Sequence, residues 1–360
     1  MRFSISDIAA ALGAQAFGDL SLTLTGAAEP AMAGPDDLAL AMQPKYAEGL
    51  ARGAARAALV WEGADWQALG LEAALVVPRP RYAMAHLTAL LDSGPAIPKG
   101  IHPTAVIDPS ATIGVGAAIG PLVVVGPGAR IGANARIASH VSIEAGARIG
   151  DDALILNGAR IMARVVIGDR FIGQPGCVIG GDGLSFVTPE TSGVEQARSS
   201  MRGAGAAKKQ SWTRIHSLGS VRIGNDVELG ANACIDRGTI RDTVVGDGCK
   251  IDNLCMLGHN VVVGRDCLMA SMTGIAGSTV IGDRCVFGGQ SGAADNIFIG
   301  DDVILTGGTK ATSNVPPGRV MMGYPAVKLE QNVEMYKALR RLPRFLAQFA
   351  QKSGSKAGPE

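Results

Sequence analysis

Aromatic residues are scarce in this chain: eight Phe, four Tyr and three Trp make up 4% of 360 residues. So few rings argue against a core filled by large flat side chains and fit a narrow interior without room for them. An excess of one charge is missing too. The 33 Lys and Arg balance 32 Asp and Glu, leaving a net charge of +1, so no overall field argues for nucleic acid. No stretch of eighteen apolar residues occurs, so no transmembrane segment is expected. The start, Met1-Arg2-Phe3-Ser4-Ile5-Ser6-Asp7, lacks an apolar signal core, which makes a cytoplasmic protein the expectation. The six cysteines include no Cys-x-x-Cys pair, and the five histidines lack the spacing of imidazoles that converge on zinc. No metal site is expected.

Glycine is plentiful, at 49 residues, and a period of six runs through the chain. From Ile101 every sixth residue is aliphatic for twelve positions: Ile101, Ile107, Ile113, Ile119, Val125, Ile131, Ile137, Ile143, Ile149, Ile155, Ile161 and Ile167. Four residues after these stand small or β-branched side chains such as Ala105, Ala111, Val123, Ala135, Val141 and Val165. A helix cannot use this spacing, because steps of six at about 100° per residue scatter the aliphatics over three directions. A solenoid can. Three hexads close a triangular coil, each hexad gives one short strand, and coils stack at about 4.8 Å. The glycines directly after the aliphatic, at 114, 120, 126, 132, 150 and 168, are expected to ease the corners through positive φ. Cys177, Cys249, Cys255, Cys267 and Cys285 fall in the small inward position, where a thiol is a small hydrophobe.

Residues 1–96 lack the hexad and read as a small α/β domain. The pattern predicts a helix over Ser6–Leu12 stopped by Gly13 and another over Arg81–Leu91. Strands are expected at Leu22–Thr25, Leu38–Met42, Ala57–Val60 and Ala74–Val77. The solenoid then spans 97–320, with Gly173 as a gap in the lattice. Residues 180–214, including the run Gly203–Lys209, are out of register and read as a long loop extruded from a coil. A slip of four residues separates Ile235 from Val245. Interruptions of this kind are where functional features gather. Residues 321–360 read as a helical extension, with Pro343 a point where it could bend. Lys337, Arg340, Arg341 and Arg344 follow helical spacing and form one basic stripe.

One histidine stands out by its setting. His259 lies two residues after the inward Leu257, so it is expected to project from a corner or outer face, and Gly277 occupies the same station one coil on. A base on one coil with an unobstructed backbone N–H above it suits acyl transfer: the base takes a proton from the nucleophile and the N–H meets the developing oxyanion.

Three segments make the reading more specific: Cys234-Ile235-Asp236-Arg237-Gly238-Thr239, Ile251-Asp252-Asn253 and Gly258-His259-Asn260-Val261-Val262-Val263-Gly264. With Gly180-Gly181-Asp182-Gly183-Leu184-Ser185-Phe186 and Pro44-Lys45-Tyr46, they resemble the UDP-3-O-acylglucosamine N-acyltransferases of lipid A biosynthesis, over nearly the whole chain. The resemblance implies a mainly β protein: a left-handed parallel β-helix of hexapeptide repeats, a small N-terminal α/β domain that binds uridine, and a C-terminal helical extension. The left hand comes from the family, since parallel crossovers generally favour the right.

The family further implies that His259 is the general base and that the Gly277 N–H is the oxyanion donor. Asp252 and Asn253 are assigned to orienting the histidine or the sugar. The donor is implied to be a 3-hydroxyacyl acyl carrier protein bearing a phosphopantetheine arm, with no tightly bound cofactor, and the acceptor UDP-3-O-acylglucosamine. Active sites and an acyl channel are implied at the interfaces of a homotrimer. Tyr46 is expected to stack on uracil, with Leu40 and Gln43 where the family often has an aromatic residue and an asparagine. Asn296 stands where many members carry a histidine; it can donate a hydrogen bond but supplies no charge. The basic stripe would steer the acidic carrier protein.

Other readings stay open at this stage. The O-acyltransferase that begins the same pathway shares the solenoid and a histidine, but the non-hexad N-terminal domain and Ile235–Gly238 argue against it. A non-catalytic β-helical protein that binds UDP-sugars or serves as a scaffold remains compatible with the repeats, because a fold does not determine a function.

Overall fold

The computed structural model describes residues 2–193, 195–196, 209–323 and 325–354. The chain divides into two compact units, Met1–Ala96 and Ile97–Glu360.

In the first unit a five-stranded sheet runs in the order Gln15–Gly18, Ala73–Val76, Ala57–Val60, Asp37–Ala41, Gly26–Ala28. Only its first pair is antiparallel. Ala57–Val60 is fully buried, as expected of an apolar strand covered on both faces. The helix Ile5–Leu12 begins at a capping box, in which the Asp7 N–H donates to Ser4 Oγ and the Ser4 N–H to the Asp7 carboxylate. It ends at Gly13 with φ 60°, the left-handed stop that glycine provides. A second helix, Pro80–Leu91, starts with proline in its first turn. The strands Gln15–Gly18 and Gly26–Ala28 have no counterpart in the sequence expectations, because neither carries an alternating apolar pattern to read.

The second unit is a parallel β-solenoid. Its faces are sheets of nine, eleven and ten strands, or about ten coils. Strands are mostly two residues long and stack in register, as in the ladder Ile113, Ile131, Ile149, Ile167. The interior is the double lattice: Ile137, Ile155 and Ile161 alternate with Ala135, Ala153 and Ala159, all essentially inaccessible. The five cysteines in the small inward position are buried, and Cys249, Cys267 and Cys285 donate to the carbonyls of Gly264, Gly282 and Gly300.

Two expectations need correction. The interior does hold rings, since Phe171 and Phe287 are fully buried. Phe171 takes a small-residue station, and the lattice gap at Gly173 accommodates it: a Cβ on Gly173 would come 3.0 Å from the Phe171 ring. The positive-φ station is also not the glycine after the aliphatic but the residue two further on. From 116 to 176 every sixth residue is left-handed, at Gly116, Leu122, Gly128, Asn134, His140, Gly146, Asp152, Gly158, Arg164, Arg170 and Gly176. Gly114 and Gly132 are glycine for a steric reason, because corners stack so closely that a Cβ on either would lie 2.4 Å from a carbonyl carbon one coil on.

The lattice is interrupted twice. The chain leaves the coil after Val178–Asp182, and Phe186–Val187 pairs antiparallel with Thr213–Arg214 before Val221 resumes the coil. The Gly203–Lys208 part of the expected loop lies outside the described residues. The second interruption is a coil of 22 residues from Ile223 to Val245, where Ile149 to Ile167 takes 18. At the C-terminus, Leu329–Gly354 is one helix that continues through Pro343.

Candidate active site

Both interruptions lead to His259. The strand Val178–Asp182 runs beyond the usual two residues and pairs with Cys234–Arg237 through a register shift between Ile179 and Gly181. This extension carries Gly183 to the corner after Met256–Leu257, where His259 stands. A cleft of about 640 Å³ opens there, lined by Leu184, Phe186, Asp236, His259, Gly277 and Asn296 among others.

The His259 imidazole is half-buried between two glycines. A Cβ on Gly183 would lie 2.9 Å from His259 Cβ, and a Cβ on Gly277 would lie 2.8 Å from both Cε1 and Nε2. The ring occupies the space that either side chain would need. Its Nδ1 is 2.9 Å from Asn260 Oδ1. The other bonds of Asn260 fix which of its atoms faces the ring: Nδ2 donates to the Arg241 carbonyl at 2.9 Å and Oδ1 accepts from the Thr239 N–H at 3.2 Å. The Asn260 N–H also donates to Thr243 Oγ1. An amide oxygen only accepts, so Nδ1 holds the ring proton and Nε2 offers a lone pair on the Gly277 side. Asn260 itself has φ 62°, the left-handed corner station that asparagine tolerates.

Thr239 and Arg241 belong to the surplus of the 22-residue coil. The four-residue slip therefore supplies the backbone groups that hold Asn260, and Asn260 holds the histidine. One coil on, the Gly277 N–H has no acceptor among the described residues, and its carbonyl accepts from the Asn296 N–H at 3.1 Å. Asn296 sits at the same corner station with φ 59°, its Nδ2 donating to Asp295.

Asp252 and Asn253 are not brought to His259 within this chain. They follow Lys250–Ile251 on the eleven-stranded face, whereas His259 follows Met256–Leu257 on the ten-stranded face. Asp252 accepts from the Ser271 hydroxyl and N–H, bonds that hold its carboxyl below the usual range. Asn253 Oδ1 accepts from the Ala231 N–H. Both line a separate cleft of about 480 Å³ with Glu228, Lys250 and Leu268. In the first unit, Gln43 and Tyr46 are exposed on the turn Pro44–Tyr46, with Lys45 Nζ 4.9 Å from the Tyr46 ring centre. Leu40 is half-buried against that unit's core. Lys337, Arg340, Arg341 and Arg344 are exposed on the C-terminal helix.

Two residues at or behind the cleft, Asn260 and Asp236, were assigned no role from sequence. Asn260 lay inside a quoted motif, but its function depends on a backbone loop with no side-chain signature. Asp236 also lay in a quoted motif; burial pushes its carboxyl up to about 6, against the opposing effect of His259.

A parallel β-solenoid of hexapeptide repeats, with a histidine and a backbone N–H at one corner of adjacent coils, places the chain in the hexapeptide transferase class. The fold is shared with an Arabidopsis UDP-N-acetylglucosamine acyltransferase, at a TM-score of 0.53 and 22% identity over 62% of this chain and 71% of that one. Residues 242–277 match the bacterial transferase hexapeptide model, and residues 21–90 match the family model described as UDP-3-O-(3-hydroxymyristoyl) glucosamine N-acyltransferase, LpxD. The UDP-3-O-acylglucosamine N-acyltransferase of Ruegeria pomeroyi is 67% identical over 100% of this chain and 99% of its own length. That of Paracoccus denitrificans is 61% identical over 72% of this chain and 71% of its own. The chain belongs to the UDP-3-O-acylglucosamine N-acyltransferase family. No helix among the described residues is long and apolar enough to cross a membrane.

Proposed function

We propose that this acyltransferase moves a 3-hydroxyacyl group from the thioester of an acyl carrier protein to the 2-amine of UDP-3-O-(3-hydroxyacyl)glucosamine. The product is UDP-2,3-diacylglucosamine, and the step belongs to lipid A biosynthesis in the cytoplasm. The observation that carries the reading is the imidazole pinned between Gly183 and Gly277 with Nδ1 tied to Asn260.

In this reading His259 Nε2 takes a proton from the attacking nitrogen as the N–C bond forms. The Gly277 N–H donates to the oxyanion of the tetrahedral intermediate. As the C–S bond breaks, the imidazolium returns its proton to the leaving thiolate of the phosphopantetheine arm. Asp252 and Asn253 act from a neighbouring copy in a homotrimer, whose interfaces bring the Asp252 corner of one copy to the His259 cleft of the next. The uracil rests on Tyr46, with Gln43 and Leu40 beside it, and Asn296 donates to the sugar or phosphate. The basic stripe of Lys337, Arg340, Arg341 and Arg344 receives the carrier protein.

The test is transfer from 3-hydroxyacyl carrier protein to the amine acceptor by wild type and a folded His259→Ala variant. A loss of about 10²-fold or more is expected, the usual scale for a general base. Wild-type protein without turnover would defeat the reading, and a fully active variant would defeat the mechanism.

A further inference from the structure

Asp236 is a half-buried carboxylate in the His259 cleft with no hydrogen-bond donor among the described residues. The obvious cation, Arg237, is next to it in sequence and turns away. Arg237 is buried, its Nε donating to the Gly180 carbonyl at 2.7 Å and its Nη2 to the Ala163 carbonyl at 3.0 Å. The carboxylate it approaches is Asp182, at 3.9 Å. The bulge at Gly180, where φ is 88°, makes this possible by presenting a carbonyl to the guanidinium. A carboxylate that faces a cleft without a donor from the protein is a partner held ready for a ligand.

Among the acceptors that border this cleft are His259 Nε2 and the Asp236 carboxylate. A primary amine carries two N–H groups and can satisfy both at once. A hydroxyl carries one, so it leaves one acceptor unsatisfied and turns a lone pair toward a negative charge. We infer that Asp236 binds the acceptor's attacking nitrogen, accepting one N–H while His259 receives the other, and thereby selects an amine over a hydroxyl. This deepens the acyl-transfer reading above and rests on it. The proton balance is unchanged: the nitrogen loses one proton to His259, which passes it to the departing thiolate, and Asp236 gains and loses none.

The experiment measures equilibrium binding of UDP-3-O-acylglucosamine and of its 2-hydroxy counterpart, UDP-3-O-acylglucose, to the full chain as wild type, Asp236→Asn and Asp236→Ala. Turnover of the amine by wild type is recorded alongside. Wild type is expected to bind the amine roughly 10-fold or more tightly than the hydroxyl compound, the scale of one charge-assisted hydrogen bond. Both variants are expected to lose most of that preference, with unfolding temperatures at or above that of wild type. Equal binding of the two compounds by wild type, or an unchanged preference in folded Asp236→Asn, would overturn the inference while leaving acyl transfer intact. Wild type that binds but never transfers to the amine would overturn the functional reading and this inference with it.

Discussion

Replacing Gly277 with alanine puts a methyl group where the His259 imidazole now lies. The new Cβ would sit 2.8 Å from both Cε1 and Nε2, whereas an unstrained contact needs about 3.5 Å. The ring must therefore retreat by about 0.7 Å. Gly183 closes the opposite side, and the bond to Asn260 resists rotation. Displacement by about 1 Å at a reacting group can cost 10²-fold, so a fall in kcat of about 30- to 100-fold is expected. The backbone should accept the change, because Gly277 is not among the positive-φ glycines. The unfolding midpoint is expected to stay within about 2 °C of wild type, as for a substitution worth under 0.5 kcal/mol. The assay is steady-state acyl transfer at saturating donor and acceptor, with thermal unfolding followed in parallel. Gly289→Ala serves as control, since its Cβ would meet nothing closer than 3.6 Å. Wild-type kcat in Gly277→Ala would refute the argument that imidazole position at this corner sets the rate, and a matching loss in the control would show that any added methyl group suffices.

Other consequences follow from the same geometry. Asn260→Asp places a carboxylate on His259 Nδ1, which favours the imidazolium; the acid limb of the kcat/KM profile is expected to move up by about one unit, and a profile that stays put would break the tautomer argument. Asp236 binds its proton more tightly folded than unfolded, with its carboxyl pushed up to about 6 by burial, against the opposing effect of His259 and with a smaller push from Asp182. Stability should therefore fall as pH rises from about 4 through about 6. Asp236→Asn is expected to exceed wild type by about 1 kcal/mol above that window, after allowance for partial solvent screening, and to match it below; parallel denaturation curves at every pH would contradict this. Reversing Lys337, Arg340, Arg341 and Arg344 to glutamate should raise KM for the carrier protein several-fold at low salt and much less at high salt. An unchanged KM at low salt would remove the stripe from donor binding.

The coil was legible because its chemistry repeats. Each inward position is dictated by the space above and below it, so Ile137, Ala135 and Cys267 announce themselves in sequence. Exceptions that stay inside this logic were only half legible. Gly173 was visible as a gap, but that it pairs with an oversized Phe171 requires knowing which residues meet across the interior. The corner glycines misled for a similar reason. Glycine can signal either positive φ or close approach, and here Gly114 and Gly132 serve the second need while Leu122 and Asn134 adopt the first.

The meeting of His259 and Gly277 at one corner of adjacent coils was legible in the sequence, and what positions them was much less so. On another corner of the solenoid, side chains cap backbone groups coil after coil: the Ala133 N–H donates to Asp151, Asp151 to Asp169, Asp169 to Asn225 and Asn225 to Asp247. A ladder of that kind needs an acceptor side chain at the same station of every coil. On the active corner the residue one coil above His259 is Gly277, which has none to offer. Earlier coils offer no such acceptor at this corner either, with Ala145 and Ala163 at the station; the imidazole fills the space that a side chain at 277 would need, and the Gly277 N–H has no acceptor among the described residues. The neighbouring coil supplies backbone groups that hold the side chain next to the histidine, through Thr239 and Arg241 on Asn260. Such a site is built from one missing side chain and four extra residues. A sequence pattern records both as irregularities, and only the pairing of coils shows that they act on the same imidazole.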